Sequence, residues 1–278
     1  MIFKSKKKTA AENKNTLLHK KLNFAATEAY KLLRTNLMFT LPDAKKCRVV
    51  GITSPTREEG KSTTAINLSY ALAETGKRVV ILDADLRLPT VAKKMDIKST
   101  PGLSNVLVGD VSEENAIWVS DAAENWNILP SGDIPPNPIE MLASAQMKLL
   151  IERLSDTYDF IILDLPPVNI VSDALAISEV LDGMIVVVRE NYSGRRELQA
   201  CMRQLKLSGV KILGFVMIAT SEDSSPYKKY RYYKKYGYKY AKNGYEDAAK
   251  EREEQEEQEE QEEPEGVTDE SVDEAWLR

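Results

Sequence analysis

The residues best suited to chemistry stand in one short run between an apolar segment and an amphipathic one. Residues 54–63 read Ser-Pro-Thr-Arg-Glu-Glu-Gly-Lys-Ser-Thr. In a phosphate-binding loop, backbone N–H groups and a helix N-terminus bind the phosphates, a lysine reaches the terminal phosphates, and a hydroxyl binds Mg²⁺. Gly60, Lys61 and Ser62 follow the order that this chemistry requires. The run therefore predicts an ATP-binding loop with contacts from Thr56, Arg57, Glu58, Glu59, Gly60, Lys61, Ser62 and Thr63.

The start of this loop differs from the usual phosphate-binding pattern. The pattern has its first glycine five residues before Gly60, where this chain has Pro55. Proline has no N–H to donate and a fixed φ, so we expect Pro55 to shape the loop entrance only. Glu58 and Glu59 must point away from the phosphates, because like charges repel each other. A solvated turn between a strand and a helix is the alternative interpretation of the run.

Three aspartates stand at the ends of two further apolar runs. Asp83 and Asp85 end one predicted strand, and Asp164 ends another. Ligands of open parallel sheets bind beyond the carboxyl ends of the strands, where these carboxylates would meet the loop. Mg²⁺ prefers oxygen ligands and keeps several waters. We expect Ser62 to bind it directly, with Asp164 and one of Asp83 and Asp85 acting directly or through water; a strand-end turn or a helix cap is the alternative for Asp83 and Asp85.

Short apolar strands alternate with helices on either side of these residues. The sequence predicts strands at 47–53, 77–85, 126–129, 158–164, 183–189 and 211–218, and helices at 21–40, 61–74, 103–108, 138–155, 173–181 and 195–207. Continuously apolar strands separated by helices are typical of a parallel sheet covered on both faces. The prediction is an α/β fold with a doubly wound, mostly parallel sheet, in one domain over residues 21–222.

Charge is distributed very unevenly in the rest of the chain. The 278 residues have a net charge of −5, but residues 227–242 hold seven Lys or Arg and no acid, and residues 246–265 have a net charge of −10. We expect three segments outside the domain: a flexible basic N-terminus, 1–20; a tyrosine-rich basic tail, 223–245; and an acidic low-complexity tail, 246–278, too polar to fold.

Cysteine content and hydropathy indicate the cellular compartment in which the protein works. Two cysteines make no disulfide framework, and no Cys/His cluster has the spacing of a zinc site. No apolar run approaches the roughly 20 residues that span a bilayer. We therefore expect a cytoplasmic protein, although the lysines at 4–8 would favour an anionic membrane surface if they are not merely solvated.

Eight of the twelve tyrosines fall within the basic tail. Their irregular spacing fits neither a strand nor a helical stripe. Tyrosine interleaved with lysine also suits single-stranded nucleic acid, but the acidic run that follows would compete, so no nucleic-acid partner is expected. The tyrosines of this tail are Tyr227, Tyr230, Tyr232, Tyr233, Tyr236, Tyr238, Tyr240 and Tyr245.

Three of these motifs resemble those of the bacterial tyrosine kinases (BY-kinases) that control capsule and exopolysaccharide synthesis. They are Gly-Lys-Ser-Thr at 60–63 (Walker A), Val-Ile-Leu-Asp-Ala-Asp-Leu-Arg-Leu-Pro at 80–89 (Walker A′) and Phe-Ile-Ile-Leu-Asp at 160–164 (Walker B). The resemblance covers about residues 21–245 and implies a P-loop NTPase fold of the partitioning and division-site ATPase type. Those ATPases carry a lysine where this chain has Thr56, which favours the kinase branch.

The resemblance implies an autophosphorylating protein-tyrosine kinase that uses ATP and Mg²⁺ and phosphorylates the tyrosine-rich tail. Lys61 would stabilise the β- and γ-phosphates, and Asp83 or Asp85 would also orient or deprotonate the tyrosine hydroxyl. Arg87 would hold the Walker A′ loop or the phosphates. Two alternatives remain: a non-kinase P-loop ATPase that switches assembly of a membrane-associated complex, and a catalytically silent scaffold.

The resemblance also implies partners. BY-kinases assemble into rings through a Glu-x-x-Arg-x-x-Arg helix, which corresponds here to Glu28, Lys31 and Arg34. Lysine at the middle position keeps the charge but loses the planar fork of arginine, and an ordinary solvated helix face is the alternative. The other implied partners are a transmembrane modulator of the polysaccharide co-polymerase type, which would hold the kinase at the inner face of the plasma membrane, and a cognate tyrosine phosphatase.

Overall fold

The computed structural model describes residue 17 and residues 22–41 and 46–219. The eight tyrosines of the basic tail, the acidic tail and the N-terminal lysines lie outside the described residues, so the expectations about them stay predictions. Within the described part of the chain, no helix is both long and apolar enough to cross a membrane.

The described strands form a single sheet that is parallel except at one edge. The strands are β1 (Arg48–Thr53), β2 (Val79–Asp83), β3 (Trp118–Val119), β4 (Trp126–Leu129), β5 (Phe160–Asp164), β6 (Gly183–Arg189) and β7 (Ile212–Ile218). Their order is β3-β4-β2-β5-β1-β6-β7, and β3 alone among them runs antiparallel to its neighbour. The predicted α/β fold with a mostly parallel sheet is confirmed, and β3 adds a short edge that the sequence did not indicate.

Helices connect these strands. They are α1 (Phe24–Thr40), α2 (Lys61–Ala73), α3 (Val91–Met95), α4 (Leu103–Val108), α5 (Glu113–Ala116), α6 (Pro138–Leu142), α7 (Ala145–Thr157), α8 (Asp173–Ala176) and α9 (Arg195–Leu207). The single helix predicted over 138–155 is wrong. Ser144 separates α6 from α7, because its hydroxyl donates to the Met141 carbonyl at 2.7 Å and accepts from the Met147 N–H at 3.1 Å. The helix predicted over 173–181 is likewise shorter and continues as a 3₁₀ turn, Ser178–Val180.

Two apolar clusters, one on each face, cover the central strands. Val80 and Leu82 of β2 belong to the cluster that contains residues of α7 and α9, whereas Val79 and Ile81 belong to the cluster that contains residues of α1 and α2. Every residue of β2 and β5 is buried, and full burial of an aliphatic side chain is worth about 1.5–3 kcal/mol. Ligands therefore reach these strands only at their ends.

The strand order brings the predicted chemistry to one edge of the sheet. β5 lies between β2 and β1, and the register pairs Asp83 with Asp164 and Ile52 with Asp164. The loop between β1 and α2 starts two residues after Ile52. Parallel pairing thus places two aspartates and the predicted phosphate-binding loop beside one another.

Candidate functional site

The loop between β1 and α2 is tightly curled, and α2 begins at its last turn. Glu58 and Gly60 have left-handed backbones, with φ of 60° and 80°. A Cβ on Gly60 would require the end of the Ile218 side chain of β7 to shift, and the left-handed backbone itself favours glycine at this position. The N-terminus of α2 opens directly at this turn, which is the arrangement that binds phosphate groups.

Glu59 fixes the conformation of the loop through three hydrogen bonds. Its side chain is fully buried, and one carboxylate oxygen accepts from the backbone N–H and the hydroxyl of Thr56, both at 2.7 Å. The other oxygen accepts from the backbone N–H of Arg189, at the end of β6, at 3.2 Å. The Thr56 N–H is thus used within the loop, and the Glu59 side chain is turned into the protein, as expected for an acid beside phosphates. Arg57 and Glu58 are exposed.

Lys61 is the cation of the site. Its ammonium lies 2.8 Å from Asp85 Oδ2 and 3.5 Å from Asp164 Oδ1, with 11% of the side chain exposed. Burial lowers the pKa of Lys61, but the nearby charges of Asp164 and Asp85 outweigh it and leave that pKa raised. The structure therefore brings the predicted lysine to two of the three predicted aspartates.

The two aspartates of the Walker A′ segment are bonded in different ways. Asp83 Oδ2 accepts from the backbone N–H groups of Thr90, at 3.1 Å, and Val91, at 2.9 Å, so one oxygen caps α3. Asp85 Oδ1 accepts from the Leu88 N–H at 3.1 Å. A helix cap and a strand-end turn were the alternatives to Mg²⁺ binding for these two residues. The structure shows the cap for one oxygen of Asp83 and the turn for one oxygen of Asp85.

Three carboxylate oxygens of the site are buried without a close hydrogen-bond partner in the described part of the chain, although one of them lies 3.5 Å from the Lys61 ammonium. They are Asp83 Oδ1 and both oxygens of Asp164. Burial and the charge of Asp164 raise the pKa of Asp83 to about 8, and burial raises the pKa of Asp164 as well. Buried acceptors without partners are costly, so these oxygens favour a cation or protons.

The donor set fits a magnesium ion better than a metal held by protein alone. No cluster of three or more His, Cys, Asp or Glu side chains in the described residues forms a metal cage. Mg²⁺ does not need one, because it usually keeps several waters and takes other ligands from phosphates. Asp83 Oδ1, the oxygens of Asp164 and the nearby hydroxyl of Ser62 are the hard oxygen donors that such an ion would use.

Arg87 holds the Walker A′ segment, and its partner was not predicted. Its guanidinium donates to both oxygens of Asp173, at 2.7 and 3.0 Å, and Asp173 is fully buried at the start of α8. Of the two roles expected for Arg87, the structure therefore shows the one that holds the loop. An acid opening a predicted helix was the sequence signal that could have found Asp173.

The residues predicted to mediate assembly are bonded within the chain. Lys31 pairs with Glu28 at 2.8 Å on the surface of α1, and Arg34 donates to the Ala71 carbonyl of α2 at 2.7 Å. Burial raises the pKa of Tyr30, which lies against Asn67 of α2. The helix that carries the residues predicted to mediate assembly thus packs directly on the helix that begins at the predicted phosphate-binding loop.

Comparisons with known proteins agree with this architecture. Residues 50–210 match the family model described as AAA domain. The chain is 37% identical over 207 residues to the tyrosine-protein kinase YwqD of Bacillus subtilis, covering 74% of this chain and 86% of that protein. It is 32% identical over 209 residues to the tyrosine-protein kinase CpsD of Streptococcus agalactiae, covering 75% and 90%.

Solved structures show the same fold. The kinase domain of the Escherichia coli tyrosine kinase ETK matches with a TM-score of 0.66 and 30% identity, over 70% of this chain and 78% of that chain. The chimerical protein CapA2B2 matches with a TM-score of 0.65 and 33% identity, over 68% and 83%. The septum site-determining protein MinD of Pyrococcus horikoshii, complexed with Mg-ADP, matches with a TM-score of 0.53 and 28% identity, over 66% and 75%.

Replacing Asp83 by Asn should reduce the dependence of stability on pH. The pKa of Asp83 is about 8 in the folded protein and has an ordinary value of 3.8. Between these values the folded state keeps a proton that the unfolded state has released, so stability falls as pH rises, by at most about 1.4 kcal/mol per pH unit. Urea unfolding of both proteins across this window, without nucleotide, measures the difference.

The amide side chain introduced by Asp83→Asn keeps an oxygen for the N–H groups of Thr90 and Val91, so the cap of α3 is preserved. Equal slopes of the free energy of unfolding against pH in the two proteins would contradict a protonated Asp83.

Proposed function

The chain belongs to the tyrosine-protein kinases of bacteria, and from this we propose that it transfers the γ-phosphoryl group of ATP to tyrosines of its own C-terminal tail. It is a protein-tyrosine kinase with a nucleotide-binding AAA domain. The observation that carries the assignment of the site is the cluster of buried carboxylate oxygens, without close hydrogen-bond partners among the described residues, beside Lys61 and the N-terminus of α2. Such a cluster needs positive charge, which Mg²⁺ and Lys61 supply together.

Lys61 changes partners in this proposal. It is bonded to Asp85 at 2.8 Å in the structure, and its flexible stem lets the ammonium turn to the β- and γ-phosphates when ATP binds at the N-terminus of α2. Ser62, Asp83 and Asp164 would hold Mg²⁺, which neutralises charge on the phosphate oxygens when it is bound. Asp85 would then lose its ion-pair partner.

The release of Asp85 supplies a proton acceptor for the tyrosine hydroxyl. Of the two Walker A′ aspartates, Asp83 has an oxygen available for the metal, whereas the oxygens of Asp85 are bonded to Lys61 and the Leu88 N–H. The tyrosine oxygen attacks the γ-phosphorus, the bond to the bridging oxygen of ADP breaks, and the phenolic proton passes to Asp85 Oδ2. This assigns the base role to Asp85 and metal binding to Asp83.

The tail, the partners and the setting complete the proposal. The resemblance to BY-kinases supports a role in capsular or exopolysaccharide synthesis and export, phosphorylation at the eight tail tyrosines, and reversal by a cognate tyrosine phosphatase. It also supports a ring and a transmembrane modulator that holds the protein at the inner face of the plasma membrane. The CapA2B2 match is to a protein described as chimerical, which agrees with a kinase that works joined to a second polypeptide.

Replacing Lys61 by Met should lower phosphotyrosine formation by at least about 100-fold, because it removes a charge that stabilises the transferring phosphoryl group. Incubation with Mg-ATP followed by mass-spectrometric mapping of phosphotyrosine measures this. The loss of Lys61 also leaves buried carboxylates without compensation, so thermal unfolding must confirm that the variant is folded.

A matched variant tests where the phosphate goes. Changing the eight tail tyrosines to Phe should preserve nucleotide binding and remove the incorporated phosphate. Phosphotyrosine in the Lys61→Met protein, or undiminished phosphate in the tail variant, would contradict the proposal.

Removing the ion pair between Arg87 and Asp173 should slow phosphorylation, because the pair fixes the segment that carries Asp83 and Asp85. Arg87→Ala and Asp173→Ala are each expected to lower the rate on the order of 100-fold, the loss typical of a small displacement of catalytic groups. The double variant should be no slower than the slower single one, since both changes break the same contact.

The control is a second ion pair, at the surface and beside the opposite ends of β2 and β5. Arg78 pairs with Asp159 at 3.0 Å and is half exposed, so Arg78→Ala should leave the phosphorylation rate unchanged. Additive losses in the Arg87 and Asp173 variants would show that the two residues do not act as a pair.

Glu28→Ala should reduce the mass of any assembly measured by light scattering. Within the described part of the chain this change breaks a partly exposed pair with Lys31, worth at most about 1 kcal/mol, so the fold should persist. Arg34→Ala is less informative, because it also removes a hydrogen bond between α1 and α2. Asn36→Ala, an exposed position on the same helix, is the matched control, and an unchanged mass in Glu28→Ala would exclude this helix from assembly.

A further inference from the structure

Thr90, the residue before α3, contacts two of the residues assigned above to Mg²⁺. Its hydroxyl donates to Ser62 Oγ at 2.8 Å, and its backbone N–H donates to Asp83 Oδ2 at 3.1 Å. The residue is half-buried and follows the Walker A′ run. One residue thus connects the phosphate-binding loop to the carboxylate of the neighbouring strand.

The hydrogen bond to Ser62 leaves that side chain a single direction for a metal. A serine hydroxyl has one proton and two acceptor lone pairs, and the Thr90 hydroxyl uses one lone pair. The Lys61 ammonium lies 3.4 Å from Ser62 Oγ and is the neighbour of its second lone pair. When Lys61 turns to the phosphates of ATP, this second lone pair becomes available to a cation.

The backbone of Thr90 has the equivalent effect on Asp83. Together with the Val91 N–H, the Thr90 N–H fixes Oδ2 at the start of α3. The carboxylate cannot rotate without losing both bonds, so Oδ1 keeps its place without a hydrogen-bond partner among the described residues. Thr90 thus fixes the direction of both the available oxygen of Asp83 and the available lone pair of Ser62.

We propose that Thr90 is the positioning residue of the Mg²⁺ site, its hydroxyl orienting Ser62 and its N–H orienting Asp83. The inference rests on the proposed function, because it requires Ser62 and Asp83 to be metal ligands. Thr90 touches neither the metal nor the phosphates in this proposal and acts only through those two residues. Partners that orient metal ligands commonly change metal affinity by about 10- to 100-fold when they are removed.

Thr90→Val tests the hydroxyl alone, because valine has the same shape and keeps the backbone N–H for Asp83. Binding of a fluorescent ATP analogue to the full chain is measured across a Mg²⁺ titration and also with chelator. The Mg²⁺ concentration at half-maximal binding should rise by about tenfold, whereas the affinity for the analogue in chelator should stay as in wild type. A purely structural role would also lower the affinity for the analogue in chelator.

Two further variants complete the test. Thr90→Ser restores a hydroxyl and should return the Mg²⁺ dependence to that of wild type. Ser62→Ala should shift the Mg²⁺ dependence at least as far as Thr90→Val, and adding Thr90→Val to it should have no further effect.

The outcomes separate the two claims. If Ser62→Ala shifts the Mg²⁺ dependence and Thr90→Val does not, or if Thr90→Ser fails to restore it, the positioning role of Thr90 is overturned. If Ser62→Ala leaves the Mg²⁺ dependence unchanged, the assignment of Ser62 to the metal fails, and the inference about Thr90 fails with it.

Discussion

The structure depends on the balance between three buried carboxylates and one ammonium group. Asp83, Asp85 and Asp164 converge where the central strands end, and Lys61 lies within 3.5 Å of two of them. A charge that is buried without a partner is costly, and the site avoids this in two ways. Lys61 neutralises Asp85, and a raised pKa lets Asp83 keep a proton. Both arrangements are reversible, so in the proposed function Mg²⁺ and the triphosphate of ATP can replace them.

The sequence predicted the parts of the site that short-range patterns determine. β2 and β5 are buried on both faces, so they appear in the sequence as uninterrupted apolar runs. The convergence of the aspartates followed from the parallel strands, because these end at a common edge of the sheet. The loop at Gly60 was recognisable because its glycine, lysine and serine are adjacent in the chain.

The sequence did not predict contacts between distant positions. Thr90 meets Ser62 across 28 positions, Arg87 meets Asp173 across 86, and Glu59 meets the backbone of Arg189 across 130. Each depends on the register of elements that only the folded sheet brings together. One failure arose between neighbouring residues. The apolar period of residues 138–155 fits a continuous helix, but the Ser144 hydroxyl competes for the backbone groups on either side and separates α6 from α7.

The hydrogen bonds of Glu59 to Thr56 and Arg189 have a consequence for nucleotide binding. Because its carboxylate joins Thr56 to the end of β6, the curl of the loop is held by hydrogen bonds within the protein. A loop fixed in this way does not have to be ordered when a nucleotide binds, so its conformation does not reduce the apparent affinity. The change of partner by Lys61 is then a rotation of one side chain, which the backbone of the loop does not have to follow.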